Sequence, residues 1–254
     1  MLHTKLENYK ILTNGKGVHI AKQLVLAKLE GQNSILRKHG FPPHDDKYRL
    51  LIESMEFDNL ETARNRLNSI EGKFSEAYFR QVLRLLPEKL RPDGRKTFKA
   101  FDGVNNIFNL AYEVLSWKVH RAVVRAKLEP YLGFLHSLQE GKPSLVCDFE
   151  ELYRYLIDDF VIQYCQNLRK RDFTLKTESL SRKKVGKREY LNDVDTKGLM
   201  RALKQYFESM VEIPRIRVGT KQTIETLISE EALLLAKFLR REGAQWIPRM
   251  VAVD

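Results

Sequence analysis

Cysteine is scarce in this chain. Its 254 residues include two, Cys147 and Cys165, and no Cys-x-x-Cys pair. A disulfide framework and a zinc finger are therefore excluded, and a reducing cytoplasm fits. No apolar run reaches the roughly 18 residues that cross a bilayer. The opening MLHTKLENYK lacks the apolar core of a signal peptide, so no membrane partner is expected. The glycine-rich signatures GxxxxGK[ST] and GxGxxG are missing, as is GxSxG. Nucleotide hydrolysis, dinucleotide binding and α/β-hydrolase chemistry thus have no support. There is no alternating strand series, no hairpin signal, no internal repeat and no low-complexity tract.

What is abundant is positive charge. The 44 lysines and arginines outnumber the 33 aspartates and glutamates, a formal net charge of +11. Such an excess favours a polyanionic partner. Helical periodicity dominates the rest, and the fold class reads as all-α, a helical bundle-like domain over 1–254 with room for a small N-terminal helical layer over 1–55. Residues 16–39 repeat apolar groups through Ile20, Leu24, Leu29 and Leu36. Asp58 and Glu61 resemble a capping box for a helix carrying Leu60, Ala63 and Leu67, and Phe74, Tyr78, Val82 and Leu85 follow on one face before Pro87. A long helix is expected over 104–127 and another over 145–170, then helices near 194–211 and 221–242. Residues 88–103 and 180–190 read as basic loops. Phe173-Thr174-Leu175 and residues 213–218 are candidates for short extended pieces.

Chemistry concentrates in 133–154. His136 lies in a turn-prone stretch, and Asp148 and Glu151 stand three apart, so a helix would put both on one face. Two carboxylates near an imidazole can hold Mg²⁺ or Mn²⁺. On spacing alone, His136 also reads as a satisfied buried histidine and the acids as a solvated helix start. Glu71 alone reads as a surface glutamate near a helix start. His39, His44, Asp45 and Asp46 flank a Pro-Pro turn and read as solvated, and Asp158 and Asp159 as one exposed and one partly buried acid. Two basic stretches can contact phosphates without reading sequence: Arg91, Arg95, Lys96 and Lys99, and Arg182, Lys183, Lys184, Lys187 and Arg188.

The run Glu71-Gly72 with Ala77-Tyr78-Phe79, then Asp102-Gly103-Val104-Asn105, Pro130-Tyr131-Leu132-Gly133-Phe134-Leu135-His136 and Lys142-Pro143-Ser144-Leu145-Val146 with Asp148 and Glu151, resembles the CRISPR-associated integrase of spacer acquisition. The resemblance covers the family's C-terminal helical catalytic domain, from about residue 15 to the end. It implies a catalytic set of Glu71, His136, Asp148 and Glu151. Glu71, His136 and Glu151 would hold the divalent ion, Mg²⁺ or Mn²⁺, with Asp148 as the accessory acid. It places Arg154 near a DNA phosphate and Tyr78 along the same cleft, and the basic loop Arg182, Lys183, Lys184, Lys187 and Arg188 on DNA.

The resemblance also implies partners: double-stranded and branched DNA, a second copy of the chain as a homodimer, and a small ferredoxin-like adaptation protein. The family's small N-terminal β-domain is expected to be absent, because the chain begins near the start of the helical domain. The family's Asp-Pro-Val-Asn reads Asp102-Gly103-Val104-Asn105 here, at some cost in rigidity. The implied function is metal-dependent DNA cleavage and integration, in which a 3′-hydroxyl attacks a phosphodiester of a CRISPR repeat array. The rival is a non-catalytic nucleic-acid-binding scaffold from the same complex.

Overall fold

The computed structural model describes residues 15–97, 100–181, 184–212, 221–240, 242 and 245–251. Among these, eight helices carry the fold: α1 Gly15–Lys38, α2 Lys47–Ser54, α3 Leu60–Val82, α4 Gly103–Arg125, α5 Ser144–Glu150, α6 Arg154–Cys165, α7 Asp193–Phe207 and α8 Ile224–Leu239. Two small antiparallel sheets complete it. One pairs β1 Phe173–Ser181 with β2 Lys184–Leu191, the other β3 Met210–Glu212 with β4 Lys221–Thr223. The expected helices are present, and the two sheets correct the all-α reading.

The apolar repeats of the sequence become the core. Helix α4 runs through the centre, burying Val104, Phe108, Ala111, Leu115, Val119 and Ala122. It packs against α5, α6, α8 and strand β2, while α1 packs against α2, α3 and α6. Phe74, Phe108, Phe134, Phe149 and Phe207 are wholly enclosed. Each such ring contributes about 2–3 kcal/mol relative to exposure.

Several boundaries differ from the sequence reading. Helix α3 is capped by Asn59, whose side chain accepts from Thr62 N–H at 2.9 Å, in place of the Asp58–Glu61 box. The expected helix over 145–170 is two helices with a turn at 151–153 between them. No glycine or proline marks that break, so the periodicity runs straight through it.

The basic loop expected at 180–190 is largely a β-hairpin. Its register pairs Phe173 with Leu191 and Thr177 with Lys187. Among its described residues only Phe173 and Leu191, at its base, are buried, whereas Leu175 and Val185 stand exposed. With burial among the described residues confined to the base, the strands show no alternation to read. The extended piece considered at 213–218 lies outside the described residues, as do Lys99, Arg182 and Lys183.

Two polar expectations also change. His44 is buried beside the rings of Phe74 and Tyr48, and its backbone N–H donates to Asn33 Oδ1 at 2.7 Å. Burial lowers its imidazole to about 4. Asp158 and Asp159 are both buried, because α6 is covered on one side by α4 and on the other by α1. Tyr112 donates its hydroxyl to Asp158, and His39 Nε2 lies 2.8 Å from Asp159.

Gly103 explains how the hairpin attaches. Asp102 caps α4 by accepting from Asn105 N–H at 2.8 Å. The next residue donates its own N–H to Glu189 Oε2 at 2.9 Å, which a proline cannot do. A Cβ on Gly103 would stand 2.1 Å from Phe173 Cδ1. The glycine is therefore fitted to the Phe173 ring and the Glu189 carboxylate. Gly103→Ala is expected to lower the unfolding free energy by about 1–3 kcal/mol through this overlap, as read from urea unfolding at pH 7.

Candidate active site

Glu71 sits in the middle of α3, not near a helix start. Its carboxylate is drawn inward by Lys28 of α1. Lys28 donates from Nζ to Glu71 Oε1, and the same ammonium lies 2.6 Å from Glu151 Oε2. Ser75 Oγ donates to Glu71 Oε1 at 2.7 Å and accepts from Gln32 Nε2 at 3.1 Å. Two carboxylates from separate parts of the chain thus converge on one cation.

Glu151 occupies the turn between α5 and α6, with its side chain 4% exposed. Arg154 NH1 lies 2.7 Å from its other oxygen. Burial alone would push the Glu151 carboxyl up. Arg154, Lys28 and His136 outweigh that and hold it at about 2. Arg154 also contacts Glu150 Oε2 at 3.1 Å and lies over the Tyr112 ring. Burial would lower its guanidinium, but Glu151 and Glu150 raise it. As placed, Arg154 faces these carboxylates rather than a free phosphate position.

Asp148 has a different task. Its carboxylate is wholly buried and accepts four hydrogen bonds. Three come from the backbone N–H groups of Phe134 at 2.5 Å, Leu135 at 3.0 Å and His136 at 2.8 Å. The fourth is from His136 Nδ1, at 2.8 Å from Asp148 Oδ1. Since Nδ1 donates, Nε2 is the nitrogen left with a lone pair in the neutral ring. A carboxylate behind an imidazole is the usual way to orient a ligating histidine.

Helix α3 grips the same segment from the other side. Arg64 donates to the carbonyls of Phe134 at 2.9 Å and Gly133 at 2.5 Å. A Cβ on Gly133 would meet Ser144 Cβ at 2.7 Å and His136 O at 2.8 Å, so the loop closes only with glycine there. The imidazole is therefore held by its loop, and the loop by Asp148 and Arg64.

As the side chains are placed, no three His, Cys, Asp or Glu among the described residues stand within reach of a single ion. Glu71 and Glu151 nonetheless share a cation position, which Lys28 holds, and His136 is close enough to act on the Glu151 charge. Two carboxylates and an imidazole suit Mg²⁺ or Mn²⁺. The ammonium shows that this position accepts positive charge.

Other candidates fall elsewhere. Tyr78 is fully buried, with its ring edge-on to Phe79, so it lines no cleft. Of Lys184, only its place at the start of β2 is described. Lys187 is exposed on β2, whereas Arg188 lies over the Phe101 ring and 3.6 Å from Glu178. Beside Ser75 runs a groove of about 510 Å³, lined by Arg80, Arg84, Arg91 and Arg95 among Glu76 and Asp93. Arg95 is anchored there by Asn105 and Asn109 and lies over the Phe108 and Tyr112 rings. Lys28 and Arg64 are the site residues that sequence reasoning missed. Lys28 had a signal: it falls on the apolar stripe of α1 with Leu24, Val25 and Leu29, and a charge there needs a buried partner.

Comparison with known proteins adds the following. The family model for "CRISPR associated protein Cas1" matches residues 2–196. The CRISPR-associated endonuclease Cas1 1 of Archaeoglobus fulgidus is 32% identical over 181 residues, covering 63% of this chain and 52% of that protein. The corresponding endonuclease of Korarchaeum cryptofilum is 28% identical over 183 residues, covering 65% and 54%. The chain thus spans about half the length of these curated relatives. A solved casposase bound to integration product matches with a TM-score of 0.81 at 18% identity, over 96% of this chain and 67% of that one. A Cas6-RT-Cas1–Cas2 complex matches with a TM-score of 0.80 at 16% identity, over 99% and 27%. At such identities these structures show a shared fold.

The Asp148 contacts give a stability expectation. Asp148→Ala strips the partner from three backbone N–H groups and the imidazole at a buried site. Each unpaired buried donor costs about 1–3 kcal/mol. The variant is expected to lose about 3 kcal/mol or more in urea unfolding, and more than Glu71→Gln, whose side chain is partly open to water.

Proposed function

The chain belongs to the Cas1 family of CRISPR-associated proteins, and we propose that it is a divalent-metal-dependent DNA endonuclease and integrase of spacer acquisition. One observation carries the reading. Glu71 and Glu151 converge on a single cation position, His136 acts on the Glu151 charge, and Asp148 fixes that histidine through Nδ1.

Glu71, His136 and Glu151 would hold Mg²⁺ or Mn²⁺. The bound ion supplies neutralisation of the charge that builds on phosphodiester oxygens during in-line attack. The protein groups do the rest. Asp148 and Arg64 keep the 134–136 segment rigid, so the imidazole need not be ordered at the moment of reaction. Arg154 keeps Glu151 ionised and aimed inward. Attack by a DNA 3′-hydroxyl on a repeat phosphodiester forms one P–O bond as the opposite P–O bond breaks, so the captured fragment is joined and the repeat strand leaves with a free hydroxyl end. The same displacement by water nicks the strand.

Phosphates along the strand are held electrostatically. The net charge of +11, the exposed Lys187 of the hairpin and the arginine groove beside Ser75 support backbone binding with little sequence reading. The substrates we assign are double-stranded and branched DNA. A second copy of the chain and a small ferredoxin-like adaptation protein are assigned as protein partners, and the cytoplasm as the compartment. Two lines support these choices: the family resemblance, and the solved complex that names Cas1 with Cas2. No described helix is long and apolar enough to cross a membrane.

One observation favours a second reading. Lys28 already fills the cation position, as it would in a scaffold that binds DNA without cutting it. The test is strand transfer of a labelled 3′-end into a repeat-containing duplex, with Mn²⁺ and the assembled complex. Glu71→Gln, His136→Ala and Glu151→Gln are each expected to lower the joining rate at least about a hundredfold. DNA affinity in filter binding should stay near the parental value. Joining at the parental rate by His136→Ala would put the scaffold reading in place of the enzyme.

A further inference from the structure

We propose that the Lys28 ammonium is a resident counter-cation of the site, which a divalent ion must displace in order to bind. The inference rests on the metal-dependent reading above and goes beyond it, because it concerns a residue outside the ligand set.

The geometry requires a choice between the two cations. Nζ donates to Glu71 Oε1 and lies 2.6 Å from Glu151 Oε2. A divalent ion bonds carboxylate oxygens at about 2.0–2.6 Å. Both cations thus seek the same two oxygens at nearly the same distance. Their like charges oppose joint occupancy in a pocket where the Lys28 and Glu151 side chains are 11% and 4% exposed.

The neighbours fit a resident that can leave. Without a cation, two carboxylates would face each other in a poorly hydrated pocket and repel. Arg154 compensates Glu151 from the far side, but it has no contact with Glu71 among those described. Lysine suits the task better than arginine. Its charge is a compact point on a flexible four-carbon stem, and its bonds here are single ones, not a planar fork. The stem packs along the apolar stripe of α1, so the ammonium can move while the helix stays. Gln32 and Ser75, one turn further along α1 and α3, offer polar groups beside its path.

Exchange implies that Lys28 weakens metal binding and stabilises the metal-free chain. Mn²⁺ binding to the full chain, followed by electron paramagnetic resonance of the free ion, tests this. Lys28→Met is expected to bind Mn²⁺ at least about tenfold more tightly than the parent. Its thermal midpoint without metal should fall, and the rise on adding Mn²⁺ should exceed the parent's. Lys28→Gln carries the same expectation if Lys28→Met does not fold. Glu151→Gln should abolish binding whether or not Lys28 is present. If the parent binds Mn²⁺ and both Lys28 variants bind it equally or more weakly, the inference is overturned while the metal reading stands. If neither the parent nor the Lys28 variants bind Mn²⁺, both are overturned.

Discussion

The arrangement of this molecule depends on keeping buried carboxylates charged. Glu151 is almost sealed from water yet held at about 2, far below what burial alone would give. An isolated carboxylate in that position would take up a proton or force the site open. Three positive or polarisable groups prevent this, and they come from different elements: Lys28 from α1, Arg154 from the start of α6 and His136 from the loop before α5. Glu151 lies in the turn at 151–153, which breaks an otherwise continuous helical pattern, in direct contact with Lys28 and Arg154. Packing and electrostatics are therefore one problem here. Helix α1 must lie against α3 and α6 for Lys28 to arrive, and the apolar stripe that drives that packing also carries the lysine.

A second carboxylate solves the opposite problem. Asp148 is surrounded by donors and uses both oxygens to tie down a loop. It is three residues from Glu151 in sequence, but its work is structural where that of Glu151 is electrostatic. The result is a firmly held imidazole in the same region as a pair of carboxylates that share one ammonium. Such a division suits phosphodiester chemistry, in which the positions of the ligands are fixed in advance and the ion and strand come and go. Around this centre the basic groove and the exposed Lys187 of the hairpin add positive charge to the surface, an arrangement that suits a polyanionic partner.

The sequence carried the helical frame well, because α1 and α4 are long and strongly periodic, and their observed ends fall within two residues of those read from the pattern. It failed at the hairpin, where among the described residues only Phe173 and Leu191 are buried and no alternation marks the strands. It failed also at 151–153, where two helices meet in a turn that no glycine or proline marks. At the site, the spacing of His136, Asp148 and Glu151 pointed to a shared region. The distinct roles of the two acids were not legible, since they follow from which backbone N–H groups and which cations surround each one. Lys28 was marked only by its place on the apolar stripe of α1, and Arg64, from a helix distant in the chain, by no local motif. Gly103 was read as a loss of rigidity because the ring that fills its missing side chain lies seventy residues further on, in Phe173.

Glu71, His136 and Glu151 are proposed to form one cation site whose resting occupant is the Lys28 ammonium. Anomalous diffraction from crystals of the chain soaked in Mn²⁺ tests it most directly. A single strong peak bounded by Glu71, His136 and Glu151 is expected, with Lys28 Nζ withdrawn from between the carboxylates and Asp148 still on His136. A peak elsewhere, or none while Lys28 keeps its place between Glu71 and Glu151, would contradict the account.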